Sequence, residues 1–181
     1  MKRLVLLGGG HAHVHVLKAI GDALDPAVSV TRHPVDRQVY SGMLPGFVAG
    51  HYGLDECGIG LLPLAQRARA MVVRSSASLV NPSMREVICA NGEVVPYDVL
   101  SIDVGARSHT GSAIGVDRHA VAVRPLERFV DGWERVLAQA RRPGMNAVSI
   151  VGGGAAGIEL AFAMDHRFRM EVGDAARTCA C

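Results

Sequence analysis

The chain has 181 residues, enough to bury a core, and its 49% hydrophobic content is typical of a globular α/β protein. A net charge of +2, without a dense run of Lys or Arg and with only 4% aromatic residues, argues against a nucleic-acid partner. The apolar run near the N-terminus is too short for a signal peptide, and no segment has the pattern of a membrane span. We therefore expect a cytoplasmic protein and leave peripheral contact with the inner face of a membrane open.

The first strand-forming segment leads directly into a run of three glycines. Apolar residues 4–7 predict a strand and residues 12–20 a helix, so the segment opens a βαβ nucleotide-binding unit. Gly8 allows the tight turn, and Gly10 has no Cβ, so a pyrophosphate could approach the N–H groups of the first helical turn. His13 stands where the third glycine of G-x-G-x-x-G is expected. An ordinary strand-to-helix turn remains the alternative.

A second copy of this pattern strengthens the prediction. Residues 147–151 have the composition of a strand, and Gly152, Gly154 and Gly157 fill all three glycine positions before a helix. Chance rarely gives two such turns in one chain. Two dinucleotide sites suggest that one cofactor passes electrons to the other.

The end of the second predicted strand departs from the usual dinucleotide pattern. Residues 28–32 predict this strand, and an acidic residue that binds the ribose hydroxyls is expected at its end. Thr31 and Arg32 stand there instead. Arg32 is a candidate cofactor-binding residue, since it could face a phosphate, a 2′-phosphate included, or stack on adenine. A solvated surface arginine is the alternative.

Neither the cysteines nor the histidines predict a metal site. The cysteines have neither zinc-ligand spacing nor a C-x-x-C pair, and we expect Cys57 and Cys89 to be reduced core or loop residues. Only His11 and His15 share a helix face, and no carboxylate or cysteine follows nearby. We expect His11 at the phosphate turn and His13 in the slot usually left for a small residue.

The remaining elements follow from periodicity and turn residues. The Gly- and Pro-rich residues 40–52 predict a structured, functional loop. The C-terminal residues 177–181 lack the pattern of a strand. The other predicted elements are a helix at 61–70, a strand at 71–73, a hairpin with strands at 76–80 and 85–90, a buried strand at 97–105, a strand at 119–123 and an amphipathic helix at 125–141.

The order of these motifs resembles a known family. A Gly-Gly-Gly turn is followed by Tyr-Ser-Gly-Met-Leu-Pro-Gly, a hairpin, Tyr-Asp-Val-Leu-Ser-Ile-Asp-Val-Gly and then Gly-Gly-Gly-Ala-Ala-Gly-Ile-Glu-Leu-Ala. This order resembles the FAD-dependent pyridine nucleotide-disulfide oxidoreductase superfamily. The branch it is most similar to is the type II NADH dehydrogenase-like one, which includes the oxidoreductase-like domain fused to selenide, water dikinase.

The resemblance implies an α/β fold of the Rossmann-like FAD/NAD(P)-binding type, with a β-hairpin insertion and a truncated second nucleotide-binding unit. Residues 1–143 would form an FAD-binding domain and residues 144–181 the start of an incomplete NAD(P)-binding domain. The implied cofactor-binding residues are Gly8, Gly9, Gly10, His11 and Ala12 at the FAD pyrophosphate, Ser41, Gly42, Met43, Leu44 and Pro45 near the flavin, Ser76 and Ala77 at the adenine end, Gly105 at a second glycine turn, and Gly152, Gly154, Ala155, Gly157 and Glu159 at NAD(P)H. No catalytic residue is assigned.

The chemistry implied by the resemblance is hydride transfer from NAD(P)H to FAD and then to a quinone or another small-molecule acceptor. No C-x4-C pair follows the first helix, so a dithiol relay is not supported. Because the second unit stops after one helix, we expect impaired turnover, an exposed apolar face on the helix from about Ala155, and self-association. Two alternatives stay open: a non-catalytic nucleotide-binding module and a protein that binds NADP alone.

Overall fold

The computed structural model describes residues 2–23, 28–32, 37–108, 114–142, 147–173 and 177–180. Only the backbone is described for residues 28–32, 117 and 177–180. The strands are β1 (Lys2–Leu7), β2 (Val28–Arg32), β3 (Arg37–Val39), β4 (Gly58–Gly60), β5 (Met71–Val72), β6 (Ala77–Asn81), β7 (Glu86–Cys89), β8 (Val94–Pro96), β9 (Val99–Ile102), β10 (Ala147–Ile150) and β11 (Arg177–Ala180). The helices are α1 (His11–Ala23), α2 (Leu44–Ala49), α3 (Leu61–Arg67), α4 (Val116–His119), α5 (Leu126–Ala140) and α6 (Ala155–Val172), with a 3₁₀ helix at Ser41–Met43.

The chain forms two compact units, each built from two segments. The first unit consists of Met1–Gln38 and Ile59–Gly105, and the second of Val39–Gly58 and Ala106–Cys181. These units group residues by contact, whereas the predicted boundary between residues 143 and 144 separates two nucleotide-binding motifs. Residues 143–146 lie outside the described part of the chain, and that boundary stays a prediction.

The first unit is organised around a parallel sheet with the strand order β5-β2-β1-β9. Successive side chains of a strand point to opposite faces of the sheet, and the two central residues of β1 use both faces. Val5 is fully buried and packs with Val87 and its neighbours, whereas Leu6 is fully buried against Leu17 of helix α1. The apolar run that predicted β1 therefore joins two cores.

The predicted hairpin is confirmed and gains a third strand. Strands β6 and β7 pair antiparallel, and β8 adds to β7 after the turn at Asn91 and Gly92. The strand predicted over residues 97–105 is confirmed only for β9, residues 99–102, and its predicted burial is wrong, because Val99 is 52% exposed and Ile102 58% exposed. In the described sheet β9 lies at an edge, so these side chains lack cover from a further strand.

The second unit has a core of helices. The apolar positions predicted for the helix at 125–141 are confirmed, since Phe129, Trp133 and Leu137 of α5 are buried. The ring of Trp133 packs against that of Phe168 on α6 at a centroid distance of 5.7 Å. Leu44 and Val48 of α2 complete this core.

Three predicted elements of the second unit are wrong. Within the predicted loop at 40–52, residues 41–49 instead form a 3₁₀ helix and helix α2, because Pro45 suits the first turn and the left-handed Gly50 ends the helix. Residues 116–119 form α4, and 120–123 form neither strand nor helix. Residues 177–180 form β11, which pairs in parallel with β10 through backbone groups that a side-chain pattern does not reveal.

The expected apolar face on α6 is present. Phe162 is 72% exposed and Met170 75% exposed, and Ile158 is also exposed. Among the helices of the described residues, none is both long and apolar enough to span a membrane. These side chains give α6 an exposed apolar surface.

An ion pair joins the starts of β1 and β9 and makes the first unit sensitive to acid. Asp98 accepts hydrogen bonds from the Arg3 backbone nitrogen at 2.7 Å and from its guanidinium Nη2 at 3.1 Å. These bonds lower the pKa of Asp98 to about 2. A carboxyl whose pKa is lower in the folded state stabilises the fold above its unfolded pKa, and loses this effect as the pH falls through the folded value.

We therefore expect Asp98→Asn to lower the melting temperature at pH 6 and to lower it less at pH 3, where part of the wild-type stabilisation is already lost. Thermal unfolding of wild type, Asp98→Asn, Arg3→Gln and the double variant at both pH values measures the coupling. A coupling that is equal at pH 6 and pH 3 would contradict the assignment.

Candidate functional site

The first glycine turn brings the end of β1 against the end of β9. Gly8 has a φ of +98°, in the left-handed region that favours glycine. A Cβ at this position would lie 2.6 Å from the carbonyl carbon of Asp103 and 2.8 Å from the Cα of Val104. Gly8 is therefore required both by its backbone conformation and by the close approach of a second strand.

Asp103 caps the N-terminus of α1 from that neighbouring strand. Its carboxylate Oδ2 accepts hydrogen bonds from the backbone N–H groups of Ala12 at 3.0 Å and His13 at 3.4 Å. Its carbonyl oxygen accepts from the N–H of Gly10 at 3.1 Å, and its own N–H donates to Leu7 at 2.8 Å. An anionic group at a helix N-terminus satisfies unpaired amides and interacts favourably with the helix dipole.

The absence of a side chain at Gly10 makes room for this carboxylate. A Cβ built at Gly10 would overlap the side chain of Asp103. The sequence suggested that Gly10 leaves space for a pyrophosphate. In the structure, an anion of the chain itself lies in that space.

His13 lies in the slot of the third glycine, as expected, and ties the turn to the sheet. It is completely buried, with Nδ1 at 3.0 Å from the carbonyl oxygen of Gly8 and Nε2 at 2.9 Å from the hydroxyl of Ser101. A carbonyl oxygen only accepts, so Nδ1 donates to Gly8, and Nε2 forms the second hydrogen bond with the Ser101 hydroxyl. The histidine replaces close glycine packing with two hydrogen bonds.

Arg32 and Gly105 belong to the same unit as the first turn. The parallel register pairs Arg32 with Leu6, which places its backbone at the edge of the sheet where the turn begins. Its side chain lies outside the described part. Gly105 has a φ of +73° and leaves open space around its missing Cβ. Ser76 and Ala77 are placed at the start of β6, in this same unit.

The residues predicted near the flavin lie in the second unit. Ser41, Gly42 and Met43 form the 3₁₀ helix, and Leu44 and Pro45 begin α2. The hydroxyl of Tyr52 donates to the carbonyl oxygen of Met43 at 2.8 Å and so fixes the junction between the two short helices. The segment is therefore held by its own hydrogen bonds rather than being irregular.

The second glycine turn has the predicted strand-turn-helix geometry and is open. Gly152 has a φ of +120°, and Gly154 is the N-cap residue of α6. A Cβ at Gly157 would overlap the carbonyl oxygen of Gly152, so this third glycine permits the close approach of the helix. Ala155 and Glu159 are exposed at the start of α6. Among the described residues, no neighbouring atom lies within 4 Å of the Cβ positions of Gly152 and Gly154.

The described residues contain no group of three or more His, Cys, Asp or Glu side chains that could hold a metal ion. Cys57 and Cys89 are buried thiols, which confirms the prediction of reduced core or loop residues for these two cysteines. Burial raises the pKa of both thiols, so neither is activated as a nucleophile.

Sequence reasoning missed Asp103 and Ser101. Both lie in or directly after a strand that the sequence analysis identified. The carboxyl ends of neighbouring parallel strands meet at one edge of a sheet, where ligands bind in open α/β folds. A polar residue at the end of β9 could have been placed beside the first turn on that ground.

Comparisons with known proteins agree with this architecture. No protein-family model matches the chain. Over 162 residues it is 24% identical to the NADH dehydrogenase-like protein YutJ of Bacillus subtilis, a match that covers 89% of this chain and 44% of YutJ. The chain thus spans less than half of that relative's length.

Two solved structures share the fold. The sulfide:quinone oxidoreductase of Aquifex aeolicus superposes with a TM-score of 0.73 at 17% identity, over 97% of this chain and 42% of the enzyme. NDH2 of Plasmodium falciparum, solved in complex with NADH, gives a TM-score of 0.70 at 20% identity, over 91% of this chain and 37% of that chain. These likenesses show a shared fold, the Rossmann-like α/β fold of both structures.

The hydrogen bonds of His13 predict a large effect on stability. His13→Ala opens a cavity and leaves the Gly8 carbonyl oxygen without its ring partner, so it should lower the free energy of unfolding by about 2–4 kcal/mol. The matched control Ser101→Ala removes one hydrogen bond and should cost about 0.5–1.5 kcal/mol. Urea denaturation followed by far-ultraviolet circular dichroism measures both. Equal losses in the two variants would show that His13 does not anchor the turn.

The contact between Gly10 and Asp103 predicts a non-additive pair. Gly10→Ala should cost about 1–3 kcal/mol by displacing the carboxylate, and Asp103→Ala about 0.5–2 kcal/mol by removing the cap. The double variant should cost at least about 1 kcal/mol less than the sum, because the two single changes disrupt the same contact. Additive losses in urea denaturation would place the carboxylate elsewhere.

Proposed function

We propose that this chain forms the FAD-binding part, together with the start of the NAD(P)-binding part, of an FAD-dependent NAD(P)H oxidoreductase of the NADH dehydrogenase-like kind. The observation that carries the proposal is the pair of strand-glycine turn-helix units, one between β1 and α1 and one between β10 and α6. The name of YutJ and the NADH bound to NDH2 of Plasmodium falciparum support it.

The first turn fits a dinucleotide pyrophosphate in its backbone. Gly8 and Gly10 contribute no side chain of their own to the turn, and α1 presents its N-terminus there. The Asp103 carboxylate accepts from the amide of Ala12, which a phosphate would also use, so the fit requires that one side chain to turn away. We propose that Gly8 to Ala12 hold the FAD pyrophosphate and that Arg32 assists at a phosphate or at adenine.

The other predicted residues are proposed for the rest of the cofactors. Ser76, Ala77 and Gly105 would contact FAD beyond its pyrophosphate, and the segment 41–45 would lie near the flavin. Gly152, Gly154, Ala155, Gly157 and Glu159 would serve NAD(P)H. A bound flavin supplies two-electron chemistry between a nicotinamide and a second acceptor. The protein's part is to fix the backbone amides at the phosphates and to hold the glycine turns rigid.

The acceptor is proposed to be a quinone or another small molecule rather than a protein disulfide. The buried Cys57 and Cys89 have raised pKa values, so neither thiol offers the activated thiolate of a dithiol relay. The name of the Aquifex aeolicus enzyme, a sulfide:quinone oxidoreductase, supports a quinone. We place the protein in the cytoplasm, with peripheral membrane contact as part of the same proposal.

A non-catalytic nucleotide-binding module is the second candidate, and the exposed side chains of α6 favour it. Ile158, Phe162 and Met170 present an apolar surface that a partner chain or a second copy would cover. In that case the chain would bind a dinucleotide without passing electrons. Because the match covers 44% of YutJ, the chain could bind a dinucleotide without catalysing the reaction of a longer protein.

The visible absorbance spectrum, recorded before and after anaerobic addition of NADH, separates the candidates. A flavin band that bleaches supports the oxidoreductase. A band that persists supports the module, and a colourless protein that takes up no added FAD contradicts both assignments at the first turn.

A pair of glycine variants tests the second turn without disturbing the fold. Nothing lies within 4 Å of the Cβ positions of Gly153 and Gly154, so both tolerate alanine sterically. Gly154→Ala should raise the Kd for NADH about tenfold or more, because the new methyl group at the N-cap keeps the pyrophosphate from the helix amides. Gly153→Ala is the matched control. Equal NADH affinities in the two variants, measured by flavin bleaching or calorimetry, would contradict this site.

A further inference from the structure

We propose that Asp103 is an internal competitor for the phosphate at the first glycine turn, and that its negative charge sets the affinity of the turn for a dinucleotide. This inference rests on the FAD site proposed above. It concerns a residue that lies outside the glycine motif.

Asp103 already uses backbone amides that an incoming phosphate would need. At the N-terminus of a helix, the backbone N–H groups of the first turn have no partner within the helix and are the groups that bind a phosphate. In this chain the amides of Ala12 and His13 already donate to the Asp103 carboxylate, and Gly10 donates to the carbonyl oxygen of the same residue. A pyrophosphate and the carboxylate cannot accept from one N–H group together.

Asp103 also fills the space beside Gly10 that a phosphate would need. Asp103 is anchored through its backbone, which bonds to Leu7 and Gly10, so its Cα stays beside the turn. Its carboxylate lies where a Cβ of Gly10 would be. This is the volume that a glycine at this position otherwise leaves to a ligand. The carboxylate therefore uses the hydrogen-bond donors that an incoming phosphate would need, and it fills the space that the phosphate would enter.

The negative charge of Asp103 also opposes the binding of a phosphate. Within the described residues, no Lys or Arg forms an ion pair with Asp103, and the α1 amides supply its compensation. An arriving pyrophosphate brings further negative charge to the same helix end, and like charges at short distance repel. Binding must therefore displace the carboxylate from its amides. The free energy lost with that cap makes the net free energy of binding less favourable.

The second glycine turn provides an internal comparison. The Cβ positions of Gly152, Gly153 and Gly154 have nothing within 4 Å, and no carboxylate of the described residues covers them. A phosphate at that turn would displace no side chain. The competition is therefore specific to the first turn.

The test is the affinity of Asp103→Asn for FAD and for ADP, measured by flavin fluorescence quenching and by calorimetry. Asparagine has the same shape and is a good N-cap residue, so the fold is kept while the charge is removed. We expect both Kd values to fall about tenfold relative to the wild type. Glu93→Gln, in the hairpin of the same unit, removes one negative charge far along the sequence from the turn and should leave both values unchanged.

A second readout does not depend on the flavin. Inorganic pyrophosphate should raise the melting temperature of Asp103→Asn more than that of the wild type. If Asp103→Asn does not fold, Asp103→Ser, which is also a short neutral N-cap residue, takes its place in all measurements.

The outcomes separate this inference from the proposed function. Wild-type protein that binds FAD or ADP, with a neutral variant that binds equally or more weakly, overturns the competition and leaves the FAD site standing. Binding of neither ligand by the wild type or by the neutral variants overturns both. An equal gain of affinity in Glu93→Gln shows a general charge effect and also overturns the competition.

Discussion

The first unit depends on the contact between the end of β9 and the glycine turn that joins β1 to α1. Asp103 closes this contact with its carboxylate on the amides of Ala12 and His13, and with its backbone on Leu7 and Gly10. From the other side of the turn, buried His13 bonds to the carbonyl oxygen of Gly8. Because these bonds link strand, turn and helix, they fix the amides that would hold a phosphate and at the same time occupy some of them.

The two glycine turns have the same pattern and different surroundings. The second has all three glycines, and Gly157 packs against the backbone of Gly152. The first replaces its third glycine with a histidine and carries an internal carboxylate. Hydrogen bonds within the chain hold the first turn without a ligand. A phosphate would have to displace the Asp103 carboxylate, which belongs to the same chain and is therefore present at high local concentration. On the proposed competition, the first turn would therefore bind a phosphate at a greater free-energy cost than the second.

The sequence predicted the local elements better than their surroundings. The glycine turns, the hairpin and the core positions of α5 followed from local chemistry, since each depends on a few neighbouring residues. The prediction of a loop at residues 40–52 was wrong because Pro45 and Gly50, which are common in loops, here lie in the first turn and at the end of a short helix. Strand β11 depends on pairing with β10, and the cap of Asp103 joins residues 91 positions apart. Contacts of this range leave no periodic pattern in a sequence.

We propose that the first turn holds a dinucleotide pyrophosphate in exchange for the Asp103 carboxylate. A crystal structure of the chain with FAD or ADP tests this most directly. We expect the pyrophosphate on the amides at the start of α1, with the Asp103 carboxylate turned away from Ala12 and His13. A ligand bound elsewhere, with Asp103 still on these amides, would contradict it.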